Sequence, residues 1–161
     1  MSGLPYRLNV GAALFNARGQ VFIGRRNDQP ENAAANWQMP QGGIDEGEDP
    51  AAAVLRELEE EIGTARATIL AEHPDWLTYD LPPEIIFHAF RGRYRGQRQK
   101  WFALRFEGED SDIALDRHSH PEFSAWRWAG LEELPALAVD FKRHVYQAVA
   151  VEFSRFATAT K

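Results

Sequence analysis

Residues 42–63 read GGIDEGEDPAAAVLRELEEEIG. The stretch carries a full set of helix signals. Asp49 suits an N-cap, Pro50 suits the first helical position, and Gly63 suits a helix stop. At about 100° per residue, Ala51, Leu55, Leu58 and Ile62 cluster within roughly 60° of arc and predict the buried face. Glu57, Glu60 and Glu61 fall in an arc of roughly 100° almost opposite. Three and four residues apart, their side chains are neighbours. Glu59 points elsewhere, near the margin of the apolar stripe. Arg56 stands four residues before Glu60 and can pair with it. Glu57 and Glu61 have no basic partner within a turn.

Two readings of this acidic face are open. It can be a solvated surface, since each like-charge neighbour pair costs only roughly 0.2–0.5 kcal/mol on an exposed helix. It can also be a site for a hard divalent cation. Mg²⁺ or Mn²⁺ prefers carboxylate oxygen and is usually shared with substrate phosphates. Upstream, Asp45, Glu46, Glu48 and Asp49 add acid. Residues 91–100 carry Arg91, Arg93, Arg95, Arg98 and Lys100 with no acid among them. Segregated blocks of this kind are either two solvated faces or two halves of one site, metal on one side and phosphate on the other.

Working outward, residues 7–15 (RLNVGAALF) and 21–26 (VFIGRR) read as two strands joined by the turn NARGQ. Residues 27–36 form a polar loop, and WQMPQGGIDEGEDP (37–50) reads as an ordered loop rather than an element. Downstream, ARATILAE (65–72), EIIFHAF (84–90), KWFALRF (100–106) and FSAWRWA (123–129) look like strands, with DLPP (80–83) breaking the chain. The segment 139–156 is helical, with Phe141, Val145, Val149 and Phe153 on one stripe. Together these predict an α/β domain, a mixed sheet covered by helices on its faces.

The bulk numbers narrow the chemistry. A chain of 161 residues, 44% of them apolar, suggests one domain spanning residues 1–161. There is no cysteine, which excludes a disulfide framework, a thiolate metal site and a cysteine nucleophile. No apolar run approaches the roughly 20 residues that span a bilayer, so a soluble, cytoplasmic protein is expected, with no membrane and no stable protein partner. A net charge of −6 argues against broad nucleic-acid binding. No Walker loop, dinucleotide-binding glycine fingerprint or serine elbow is present. His118 and His120, flanked by a carboxylate, could bind a transition metal, but a mobile loop does not preorganise that geometry.

Spacing supports the cation reading. Counted from Gly42, five residues lead to Glu48 and seven more to Arg56-Glu57. Leu58, Glu59, Glu60-Glu61, Ile62 and Gly63 follow. This resembles the Nudix box, with Thr64 where an aliphatic residue is usual. The resemblance implies a loop-helix-loop on an α/β/α sandwich that hydrolyses nucleoside diphosphates linked to another group. By position, Glu57, Glu60 and Glu61 are then metal ligands, and Glu48 and Arg56 form a bracing ion pair. Gly42-Gly43 let the backbone approach metal or phosphate, and Gly63 ends the helix.

Further stretches, including WLTYDLPP (76–83), GQRQKWF (96–102), PEFSAWRW (121–128) and VDFKRHVY (139–146), resemble one branch of that family. It holds asymmetrical diadenosine tetraphosphate hydrolases and bacterial RNA 5′-pyrophosphohydrolases. The resemblance implies that Glu122 joins the metal carboxylates, as ligand or as general base, and that the rings of Tyr79 and Phe141 sandwich a base. It also gives phosphate contacts to Lys142, Arg7, Arg25, Arg26, Gln97, Arg98, Gln99 and Lys100. For each of these a core or surface role is the alternative. The expected mechanism holds a polyphosphate between metal ions and basic residues while Glu57 or Glu122 takes the proton from an attacking water. Asymmetrical cleavage of diadenosine tetraphosphate to ATP and AMP is the leading expectation. Removal of pyrophosphate from a 5′-triphosphate RNA end is its alternative. A non-catalytic nucleotide-binding module is a distant third, because every charged position of the box is present.

Overall fold

The structure, a computed structural model, describes residues 3–27, 37–118 and 120–158. The polar loop expected at 27–36 lies outside those residues from position 28 onward.

The two N-terminal strands form as expected, β1 at Tyr6–Phe15 and β2 at Val21–Arg26. The Asn16 side chain accepts the backbone N–H groups of Arg18 and Gln20 and so closes the turn between them. The next segment differs from expectation. It contains two short strands, β3 (Trp37–Gln38) and β4 (Gln41–Gly43), which pair with β2 and β1. Their shortness hides them from any periodicity test. Helix α1 runs Pro50–Ile62, with Asp49 accepting from the amides of Ala51 and Ala52 and Gly63 closing it at φ 83°.

After α1 come β5 (Ala67–Glu72), β6 (Leu77–Asp80), β7 (Gly96–Phe106) and β8 (Phe123–Ala129). The strand expected at 84–90 is absent. Those residues form turns and a 3₁₀ segment at Ala89–Gly92. β6, which the sequence reading did not expect, ends on Asp80, the first residue of the DLPP break. A short helix α2 (Leu134–Leu137) precedes α3 (Arg143–Glu152).

All eight strands join one mixed sheet. β1 and β7 run parallel over ten residue pairs at its centre, and the other pairings are antiparallel. Strand alternation then builds two cores. Val10, Ala12, Leu14, Phe102 and Leu104 pack on one face against Val54, Leu58 and Ile62 of α1. Ala13, Phe15, Trp101 and Ala103 pack on the other against Val145, Tyr146 and Val149 of α3. The mixed sheet between helices is the expected architecture. Tyr146 also accepts the Met39 amide at 2.8 Å, which ties α3 to the turn between β3 and β4.

The buried stripe of α1 differs in detail from expectation. Ala53, Val54, Leu58 and Ile62 are buried, as is Glu61, whereas Ala51 and Leu55 are only half-buried. The end of α1 leans onto β4, so the acidic face is not a free surface.

Candidate active site

Arg56 sits at the hub of the loop-helix unit. Its Nε and Nη2 each donate to the Glu48 carboxylate at 2.8 Å, a two-pronged contact. Nη2 also donates to the Gly43 carbonyl at 2.9 Å. Nη1 reaches Glu57 at 2.9 Å and Glu60 at 3.1 Å. The expectation that Glu57 lacks a basic partner is therefore corrected: its own chain neighbour turns back to it. The hydrogen bonds from Arg56, with another from the Asp45 amide, hold the Glu48 carboxyl down at about 2. This fork fastens the incoming loop to the middle of the helix.

The carboxylates differ in environment. Glu57 lies against Gly42, where an added Cβ would collide with its carboxylate. Burial, with repulsion from Glu60, pushes the Glu57 carboxyl up to about 7 against the opposing pull of Arg56. Glu61 is 5% exposed and accepts the Gln41 amide at 3.2 Å. Burial first, then the charges of Glu122 and Glu57, raise it well above the ordinary carboxylate range. Glu60 is half-exposed. Glu59 faces away and pairs with His118 at 2.8 Å. Thr64 is buried and accepts the Arg66 amide at 3.1 Å.

Glu61 feels the charges of both Glu57 and Glu122, and carboxylate oxygen is the donor a hard cation needs. Glu57, Glu61 and Glu122 could hold one, with Glu60 at the rim. Among the described residues no three Asp, Glu or His side chains converge into a ready-made cage. His118 and His120 do not converge on a metal either, since His118 is engaged with Glu59 and His120 lines a cleft with Arg26 and Glu122.

The α3 side of the sheet supplies a second wall. Arg7 and Asn9 donate to Gln97 at 2.9 and 2.7 Å, and Gln97 donates to the Tyr79 hydroxyl at 2.6 Å. Gln99 donates to Asn9 and Gln41, and Trp101 donates to Gln99. Gln97 and Gln99 are thus buried members of an amide network, not surface groups. Asn9 and Gln41 belong to it and were missed by the sequence reading. Asn9 carried a signal, a polar residue in an apolar strand, whereas Gln41, in the short strand QGG, carried none.

Three further expectations need correction. Tyr79 and Phe141 touch each other, with centroids 5.6 Å apart and planes tilted by 40°, so no gap for a base lies between them. Tyr79 is a core residue. Lys142 is buried too, donating to Gln38 at 3.1 Å, and Arg26 donates to the same oxygen at 3.3 Å. Arg25 is half-buried and donates to Ser124 at 3.3 Å. The basic block does not form one face. Arg95 pairs with Asp80 and Lys100 with Glu72, and Arg98 lies over Trp76. Alternation turns Arg98 and Lys100 away from Gln97 and Gln99.

Arg7 remains at the site. It lines a cleft of about 360 Å³ together with Gly43, Asp45, Glu57 and Tyr94. A half-buried arginine and a carboxylate that could hold a cation thus line one space open to ligand.

A NUDIX domain model matches residues 5–149, most of the chain. The chain belongs to the Nudix family, and it is an enzyme of the Nudix hydrolase class. Members of that class generally use divalent metal ions. Among curated relatives, a protein of Gluconacetobacter diazotrophicus named RNA pyrophosphohydrolase is 60% identical over 96% of this chain and 95% of its own. One of Acidiphilium cryptum with the same name is 58% identical over 97% and 94%. Among solved structures, a C. elegans Ap4A hydrolase complex aligns with a TM-score of 0.64 over 92% of this chain and 98% of its own, at 18% identity. That likeness shows the fold alone. The order of the two substrate expectations is thereby reversed: the relatives similar along the whole chain carry the RNA name.

Proposed function

We propose that this chain removes pyrophosphate from the 5′-triphosphate end of RNA, leaving a 5′-monophosphate. The observation that carries the reading is that Arg7 and Glu57 line one cleft, in a chain 58–60% identical to proteins named RNA pyrophosphohydrolase. Arg7, held by Gln97, binds phosphate oxygens. Glu57, Glu60, Glu61 and Glu122 are the groups that would hold Mg²⁺ or Mn²⁺. When bound, such a cation neutralises phosphate charge and acidifies a coordinated water. The chain's own part is positional. Arg56 holds Glu57 and Glu60 in register, and Gly42 lets Glu57 reach the sheet. Glu57 or Glu122 accepts the proton of the attacking water. Water adds to one phosphorus, a phosphoanhydride bond opens, and pyrophosphate departs.

A second reading keeps the same site for diadenosine tetraphosphate, and the stretch WLTYDLPP supports it by resemblance. Both substrates in one tube with Mg²⁺ separate the readings. Pyrophosphate and 5′-monophosphate RNA appearing faster, by relative kcat/KM, supports the RNA assignment. Faster appearance of ATP with AMP overturns it in favour of the dinucleotide. A cytoplasmic setting belongs to the same proposal. Among the described residues no helix is long and apolar enough to cross a membrane.

A further inference from the structure

Arg7 is gripped from two sides. Its Nη1 donates to Gln97 at 2.9 Å, and Gln97 is fixed in turn by Asn9 and Tyr79. On the other side its guanidinium carbon stands 4.7 Å from the centroid of the Phe90 ring. Gly43 leaves the room that the end of the guanidinium needs, since an added Cβ would meet Arg7.

The backbone that carries this ring is unusual. Phe90 has φ 52° and ψ 32°, and Arg91 follows at φ 59° and ψ 29°. Left-handed conformation costs a residue with a Cβ roughly 1–2 kcal/mol, and Phe90 and Arg91 pay it in succession. Strain persists where the surroundings impose it. Here the Tyr94 ring meets Phe90 edge-on at 6.0 Å, and the Arg93 amide donates to the Phe90 carbonyl at 3.2 Å. The turn's visible result is an aromatic face laid on Arg7, beside the cleft that Tyr94 and Glu57 also line.

We infer that Phe90 is a positioning residue: its ring holds the Arg7 guanidinium in the orientation that receives a polyphosphate across from Glu57. The inference rests on the proposed polyphosphate site but not on which substrate class carries the polyphosphate. Without the ring, Gln97 alone leaves Arg7 free to swing about one hydrogen bond, and binding must restore that order.

The test is a double-mutant cycle on the intact chain with Arg7→Ala, Phe90→Leu, the double variant, and Phe90→Tyr as the conservative replacement. Leucine keeps apolar bulk without a ring face. Kinetics are read on 5′-triphosphate RNA, and binding of inorganic triphosphate is read by calorimetry without metal. Phe90→Leu should raise KM about three- to tenfold, the size of a partly exposed cation–π contact, with kcat little changed. Phe90→Tyr should restore it. In the Arg7→Ala background Phe90→Leu should do nothing further. Inorganic triphosphate affinity should follow the same pattern. An equal loss in both backgrounds, or no loss at all, overturns the inference. If RNA is not turned over, the substrate proposal fails, while the inorganic triphosphate cycle still decides the role of Phe90.

Discussion

The Glu57 carboxylate lies where a Cβ on Gly42 would stand. Helix and strand therefore meet through a missing side chain, and this contact draws the first acid of the site into the sheet. Gly42→Ala must push Glu57 out or open the β4 pairing. The expected result is a loss of turnover of about a hundredfold or more, with stability reduced by roughly 1–3 kcal/mol. Turnover and thermal unfolding of the variant check both. Near-normal turnover would show that Glu57 is not needed in that place.

Glu60→Gln and Glu61→Gln should each lower turnover by orders of magnitude while the fold survives, as circular dichroism and unfolding would report. Near-normal turnover in both would sink the metal assignment.

The raised carboxyls set a pH dependence for metal-free protein. Glu57 moves from an ordinary value of 4.5 to about 7, and Glu61 moves in the same direction. A raised carboxyl disfavours the ionised folded state. Its relative contribution is whole below the unfolded value and is lost as pH rises through the folded one. In the presence of a chelator the melting temperature should fall between pH 5 and pH 8, with Glu57 contributing on the order of 2 kcal/mol. Glu57→Gln should flatten that fall. Identical pH profiles for wild type and variant would contradict it.

Arg56 holds Glu48 by two prongs and also reaches Glu57, Glu60 and the Gly43 carbonyl. Lysine has the charge but not the fork. Arg56→Lys should cost about 1–3 kcal/mol and lower kcat roughly tenfold or more. A variant with the stability and kcat of wild type would make the hub dispensable.

Tyr146→Phe leaves the Met39 amide without its buried acceptor. The loss should be about 1–3 kcal/mol, seen as a lower melting temperature with turnover little changed. An unchanged melting temperature would show that another group, such as water, takes the amide.

Much of this protein was legible in its residues, because the informative parts are local. Asp49, Pro50 and Gly63 bound α1 through the needs of helix ends, and β-rich runs mark β1, β2 and β8. The box spacing identifies the family for the same reason: Glu48, Arg56, Glu57, Glu60 and Glu61 lie on one loop and one helix. β3, β4 and β6 were not legible, since two to four residues carry no period. EIIFHAF misled because Ile85, Ile86, Ala89 and Phe90 pack against the α3-side core from turns rather than from a strand.

The sequence by itself determined the helix, its caps, the acid cluster and the family, all properties of contiguous residues. Only the tertiary structure decided which side chains share a wall. Parallel pairing of β1 with β7 brings Arg7 beside Gln97, ninety positions away, and alternation sends Arg98 and Lys100 to the opposite face. Burial then decided that Tyr79 and Lys142 are interior residues and that Glu61 is an interior acid. Spacing along a chain reports neighbours on one element. Burial and opposition depend on how elements are stacked.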